Sequence, residues 1–139
     1  SHTEFIRNRE TGDYYFLETA SRVGGAHLAE MVEAASGLNL WYEWARLEAA
    51  IAKGEKYQLP EVRKEYAGIV VSLTKQEWPD DSQFNDAEIA WRMTGMDHHI
   101  GLIVRSKKRE RVLELLDQYA DRIRHDYHAS APAPSKPLT

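Results

Sequence analysis

The chain contains no cysteine, so disulfides, thiolate nucleophiles and thiolate metal sites are all excluded. No apolar run approaches the roughly 20 residues of a membrane span, and no apolar stretch of a leader peptide opens the sequence. Net charge is only −4 over 139 residues, with both signs intermixed. That pattern supplies neither the basic footprint of a nucleic-acid binder nor a polybasic membrane patch. Proline is scarce and unevenly placed. Three of its five copies fall in Ala129–Thr139 (ASAPAPSKPLT), which reads as a disordered tail. A soluble cytoplasmic protein is the expectation.

Hydrophobic residues make up 42%, enough for a core in one domain or a large piece of one. Strand-like sequence begins at Thr3, with Ser1 reading as a cloning remnant or as the start of an excised fragment. Thr3–Asn8 and Asp13–Thr19 are expected to pair as strands around a three-residue loop, Glu10-Thr11-Gly12, whose glycine supplies a left-handed residue. Centring that hairpin on Thr11 places Glu4 opposite Glu18, Ile6 opposite Phe16 and Asn8 opposite Tyr14.

Helical spacing of Leu28, Met31, Val32 and Ala35 predicts a helix over Ala26–Ser36, stopped by Gly37. Asn39 is placed to cap a second helix whose apolar stripe is Leu40, Trp44, Leu47 and Ile51, with Gly54 ending it. Leu59–Lys64 reads as a linker. Ala67–Lys75 and His99–Arg105 read as strands. Asn85 and Glu88 suggest a capping pair for a short helix running to Met93. A last helix from Lys107 to Tyr127 carries the stripe Val112, Leu115, Leu116, Tyr119, Ile123 and Tyr127. The expected class is α+β. Residues 1–58 would form a hairpin-and-helix half bearing the site, and residues 59–128 a carboxy-terminal subdomain.

Two glutamates opposed on one strand face repel each other unless a cation lies between them. Mg²⁺ suits such a place, because it takes one or two carboxylates and leaves its other positions to water and phosphate oxygens. The competing reading is a register one residue different, with both charges solvated. Downstream, Arg22 offers a fork of donors for carboxylate or phosphate. Gly24 and Gly25 precede a helix start, where backbone N–H groups can donate to anions. His27 sits beside that turn, in reach of a ligand or as a packing residue. His98-His99 and His125/His128 are poor candidates for a transition-metal site. Trp41, Trp44, Trp78 and Trp91 read as core. Lys107-Lys108-Arg109 reads as a solvated cluster.

These residues carry a resemblance. His2-Thr3-Glu4-Phe5 is similar to the x-Glu-Phe strand of the ATP-grasp superfamily. Leu17-Glu18-Thr19-Ala20-Ser21-Arg22 is similar to its following strand, apolar-Glu-x-Asn-x-Arg. The likeness continues through Gly25–Glu33 and Ser36-Gly37-Leu38-Asn39-Leu40, as far as Glu48. It implies the carboxy-terminal part of an ATP-dependent carboxylate ligase of the biotin carboxylase-like or amino-acid ligase-like kind. Glu4 and Glu18 would hold Mg²⁺ against the ATP phosphates, and Arg22 would contact the activated carboxylate. Gly24, Gly25 and His27 would line the nucleotide side. One departure stands out: the asparagine of the pattern is Ala20, which cannot coordinate.

The resemblance also implies that the lysines and glycine-rich flap gripping the nucleotide lie outside this sequence, so the chain alone is expected to be inactive. The partners implied are ATP and a small-molecule carboxylate. A cut sheet edge in the Thr3–Thr19 hairpin implies a homodimer or edge-strand pairing. The alternative is a non-catalytic α+β interaction module with a degenerate ATP-grasp site.

Overall fold

The computed structural model describes residues 1–129 and has an α+β fold. Its elements are β1 (His2–Arg7), β2 (Tyr14–Ala20), α1 (Leu28–Ser36), α2 (Leu40–Lys53), β3 (Tyr66–Leu73), β4 (Ile89–Arg92), β5 (His99–Ser106) and α3 (Arg109–Asp126). β1 and β2 form a two-stranded hairpin. The other strands form an antiparallel sheet in the order β3-β5-β4.

β5 is the centre of the molecule. Its residues Ile100 to Val104 are buried on both faces. Alternate side chains separate the two sides, as the period of two requires. Ile100, Leu102 and Val104 join Val112, Leu115, Tyr119, Ile123 and Tyr127 of the α3 side and Phe84 in one cluster. Each large side chain buried there contributes about 1.5–3 kcal/mol. Ile103 is equally buried but lies outside that cluster, facing the side where α1 contacts all three strands. Glycine sets how closely helix and sheet approach. A Cβ on Gly68 would stand 2.5 Å from Leu116 Cδ1 and 3.0 Å from Val112 Cγ1.

Several expected elements form for the expected reasons. Gly37 ends α1 at φ 79°, its N–H donating to Glu33 O at 2.7 Å. The Asn39 side chain accepts from the Tyr42 N–H at 2.9 Å, and Gly54 ends α2 at φ 69°. The stripe expected on the last helix is the face α3 buries.

Other expectations are corrected. Asn85–Met93 is no helix. Ile89 and Trp91 pair with Val104 and Ile103 of β5 instead, and the acidic residues before them are drawn to Arg111. Long-range pairing outcompetes the local capping signal. α1 begins two residues later than expected, because Ala26 and His27 have positive φ (51° and 61°). α3 begins at Arg109, with Lys108 as its extended N-cap residue. Trp41 and Trp78 are exposed and Trp44 stands at 39% exposure, so these three are not core. α2 buries no residue, and its stripe of Trp44, Leu47 and Ile51 faces outward. Of the expected tail, Ala129 is tied to the sheet, its N–H donating to Leu73 O at 3.1 Å. Residues 130–139 lie outside the described residues. No helix among the described residues is long and apolar enough to cross a membrane.

The candidate functional site

The hairpin departs from the expected register in two places. Asn8 and Asp13 flank its turn, with Asn8 N–H donating to Asp13 O at 2.8 Å, so four residues rather than three make the connection. Gly12 supplies the left-handed position at φ 80°. Near the turn, Ile6 therefore faces Tyr15, and Arg7 faces Tyr14. The expected Ile6–Phe16 and Asn8–Tyr14 pairs do not form. A bulge then shifts the register by one residue between Glu4 and Phe5. Beyond it, Glu4 stands opposite Glu18, Thr3 opposite Thr19 and His2 opposite Ala20.

Directly opposed residues share a face. One face of the hairpin therefore carries Glu4, Glu18, His2 and Ala20. The other carries Thr3 and Thr19, whose hydroxyls lie 2.9 Å apart, and the edge-to-face pair Phe5–Phe16 at 6.0 Å. His2 Nε2 lies 2.8 Å from Glu4 Oε1, so one carboxylate has a local partner. The donor set of two opposed carboxylates fits a hard divalent ion that keeps water or phosphate on its remaining positions. Among the described residues, no group of three or more His, Asp or Glu converges on one point. Ala20 offers no donor on the same face.

After Ala20 the chain bends through Ser21 and Arg22 to the two glycines. Arg22 is exposed, and its guanidinium donates only to the neighbouring Val23 O at 3.1 Å. Gly24 is where the chain passes closely: a Cβ there would meet His2 Nδ1 at 3.1 Å and Leu28 at 3.3 Å. Neither Gly24 nor Gly25 takes the left-handed conformation, which falls on Ala26 and His27. His27 occupies the N-cap position of α1 without a side-chain cap. Its ring lies 4.6 Å from that of Trp91, and its Nδ1 lies 3.4 Å from Glu30 Oε1. Ring packing on Trp91 and the local contact with Glu30 are what the structure gives it.

The six expected residues thus fall in three places. Glu4 and Glu18 lie on the hairpin. Arg22 and Gly24 line an open cleft of about 550 Å³ between the bend and α2. His27 packs toward the sheet through Trp91, with Gly25 at the turn between. The far wall of the cleft was not foreseen. It is made by Leu40, Glu43, Trp44, Leu47, Glu48 and Tyr57. Tyr57 donates to Glu43 Oε2 at 2.7 Å, and that hydrogen bond raises its phenol pKa above the ordinary value. Trp44 Nε1 donates to Glu48 Oε1 at 3.0 Å. The polar side of α2, read at helical spacing beside its stripe, was the signal available for Glu43 and Glu48.

Three of the remaining histidines have local partners away from the hairpin. His98 Nδ1 lies 3.3 Å from Thr74 O, and His99 Nδ1 2.7 Å from Asp97 O. His128 Nδ1 lies 2.9 Å from Ser72 Oγ. Compared with known proteins, the chain matches no family model, no curated protein and no solved structure.

Proposed function

We propose that this chain is the carboxy-terminal part of an ATP-grasp ligase, which activates a small-molecule carboxylate with ATP as an acyl phosphate and passes it to an amine or another nucleophile. One observation carries the reading: Glu4 and Glu18 are opposed on one hairpin face, and the same strand leads within four residues to Arg22. Adjacent carboxylates offer the charge that holds Mg²⁺ against phosphate oxygens. Arg22, which has no carboxylate partner among the described residues, offers a two-pronged donor to an acid. ATP supplies the phosphoryl group. The role of these residues is positioning and charge neutralisation.

Calorimetry with ATP and Mg²⁺ tests the incomplete-site part of this reading. The 139-residue chain is expected to bind ATP poorly, and micromolar affinity would overturn the inference that the nucleotide grip lies elsewhere. In the parent enzyme, Glu18→Gln is expected to retain the fold and abolish most ATP turnover. Unchanged turnover would remove Glu18 from the site.

A second reading is supported by Ala20 and by the outward apolar faces of the hairpin and α2. Under it the chain is a non-catalytic interaction module with a degenerate site. Neither Mg²⁺ nor ATP would then act on the amide resonances of Glu4 and Glu18.

A further inference from the structure

The turn that leads into α1 carries its positive φ angles on residues poorly suited to them. Gly25 O accepts from the Leu28 N–H at 3.0 Å, so Gly25–Leu28 is a four-residue turn. Its two central residues, Ala26 and His27, have φ of 51° and 61°. Two left-handed central residues make a type I′ turn, which selects glycine, asparagine and aspartate. A left-handed residue with a Cβ is disfavoured by roughly tenfold. Gly24 and Gly25 stand directly before these two residues and would accept that conformation at little cost, yet neither has a positive φ.

Non-glycine residues persist in this conformation only where their surroundings over-determine it. Ala26 is exposed, so the hold falls on half-buried His27. Two of its contacts do not choose between conformations. Its Nδ1 lies 3.4 Å from Glu30 Oε1, and its carbonyl accepts from the Met31 N–H at 3.1 Å. Spacings of three and four residues are kept when a helix is extended by one turn. The third contact does choose. The His27 ring lies against Trp91 of β4, with centroids 4.6 Å apart and planes tilted by 38°.

We propose that Gly24–His27 is a two-position element, and that Trp91 is the positioning residue that holds it in the position seen. In the other position Ala26 and His27 take right-handed φ and join α1, as helical spacing from Ala26 onward expects. The reversal of the chain then passes to the two glycines. α1 starts two residues earlier, about 3 Å further along its axis toward Arg22. Arg22 and Gly24 line the cleft beside α2, so a contact made by β4 sets the shape of that wall. Neither ATP nor Mg²⁺ enters this inference, which stands apart from the ligase reading.

Two NMR readouts of Ala26 in the 139-residue chain test it. The intraresidue HN–Hα NOE is strong only at positive φ, and the Cα shift separates helix from coil. The wild type is expected to show the strong NOE. His27→Ala takes the ring off Trp91 and leaves the sheet untouched. It is expected to move the ratio of the two positions by at least about tenfold, so that the NOE weakens and the Cα shift becomes helical. His27→Phe keeps a ring on Trp91 and is expected to keep the wild-type NOE. Trp91→Ala should match His27→Ala, and Trp91→Phe should match the wild type; if Trp91→Ala does not fold, the two His27 variants decide. Four results would overturn the proposal: a weak NOE in the wild type, a strong NOE retained in His27→Ala, equal behaviour of His27→Phe and His27→Ala, or coil shifts in the ring-deleted variants. The last would leave the stack as a packing contact with no second position behind it.

Discussion

Glu4 faces Glu18 across the hairpin, and His2 Nε2 lies 2.8 Å from the Glu4 carboxylate. Like charges in direct opposition destabilise a strand pair by a few tenths to about 1 kcal/mol. In the metal-free chain, Glu18→Gln is therefore expected to raise stability slightly, read as a small increase in the urea midpoint. With Mg²⁺ present the sign should invert: the ion should stabilise the wild type more than the variant. A midpoint that moves equally with Mg²⁺ in both proteins would separate Glu18 from metal binding.

The hairpin buries no residue. Phe5 and Phe16 are 58% and 62% exposed. Among the described residues, β1 and β2 touch each other and no other strand or helix. Self-association through this element is expected in sedimentation experiments. Phe16→Lys should shift the equilibrium toward monomer by about tenfold or more, since it removes an aromatic contact and adds a repelling charge. A wild-type chain that stays monomeric at high concentration would contradict this.

Gly68 of β3 lies tight against Leu116 and Val112 of α3. Gly68→Ala is expected to cost about 1–3 kcal/mol, because the added methyl overlaps Leu116 in a packed layer. Gly54→Ala, by contrast, meets nothing within 4 Å and carries only the left-handed backbone cost, about 1 kcal/mol. Paired chemical denaturation curves check both values.

Arg111 links the start of α3 to the approach of β4. It donates to Glu88 at 2.8 Å, to Asp86 at 3.0 Å and to Glu114 at 3.0 Å. The hydrogen bond from Arg111 holds the Glu88 carboxyl below its ordinary pKa. A lowered folded-state pKa gives stability that is present above the unfolded carboxylate value and is lost as pH falls through the folded one. Glu88→Gln is therefore expected to flatten the acid limb of the stability–pH curve and leave its neutral limb parallel to wild type. An unchanged acid limb would show that the link contributes nothing to acid resistance.

Much of the fold was legible because local rules and packing agree there. Asn39, Gly37 and Gly54 bound their helices as cap chemistry requires, and the stripe from Val112 to Tyr127 is the face that packs. β4 was not legible. Asn85 and Glu88 imitate a helix start, while the force that extends Ile89–Arg92 comes from β5. The same applies to Phe84, almost wholly buried yet outside any periodic segment. The Glu4–Glu18 opposition was reached through two compensating departures. The turn is one residue longer than Gly12 suggested, and the bulge beside Glu4 restores the register. Sequence spacing alone does not reveal a bulge, because the extra residue leaves no mark in the alternation on its own strand. The cleft beside Arg22 was hidden for another reason. The α2 stripe has the pattern of a core face, but no element among the described residues buries it.

The strand order β3-β5-β4 also bears on how the chain reaches its native state. β4, β5 and α3 are consecutive, so their mutual contacts close short loops. β3 must find β5 across a longer intervening segment and therefore pays a larger closure entropy. The region from Phe84 to Tyr127 holds the buried cluster almost by itself. It is the natural nucleus. Conservative truncations at Leu102 or Leu115 should slow folding, whereas truncations at Val70 should mainly hasten unfolding.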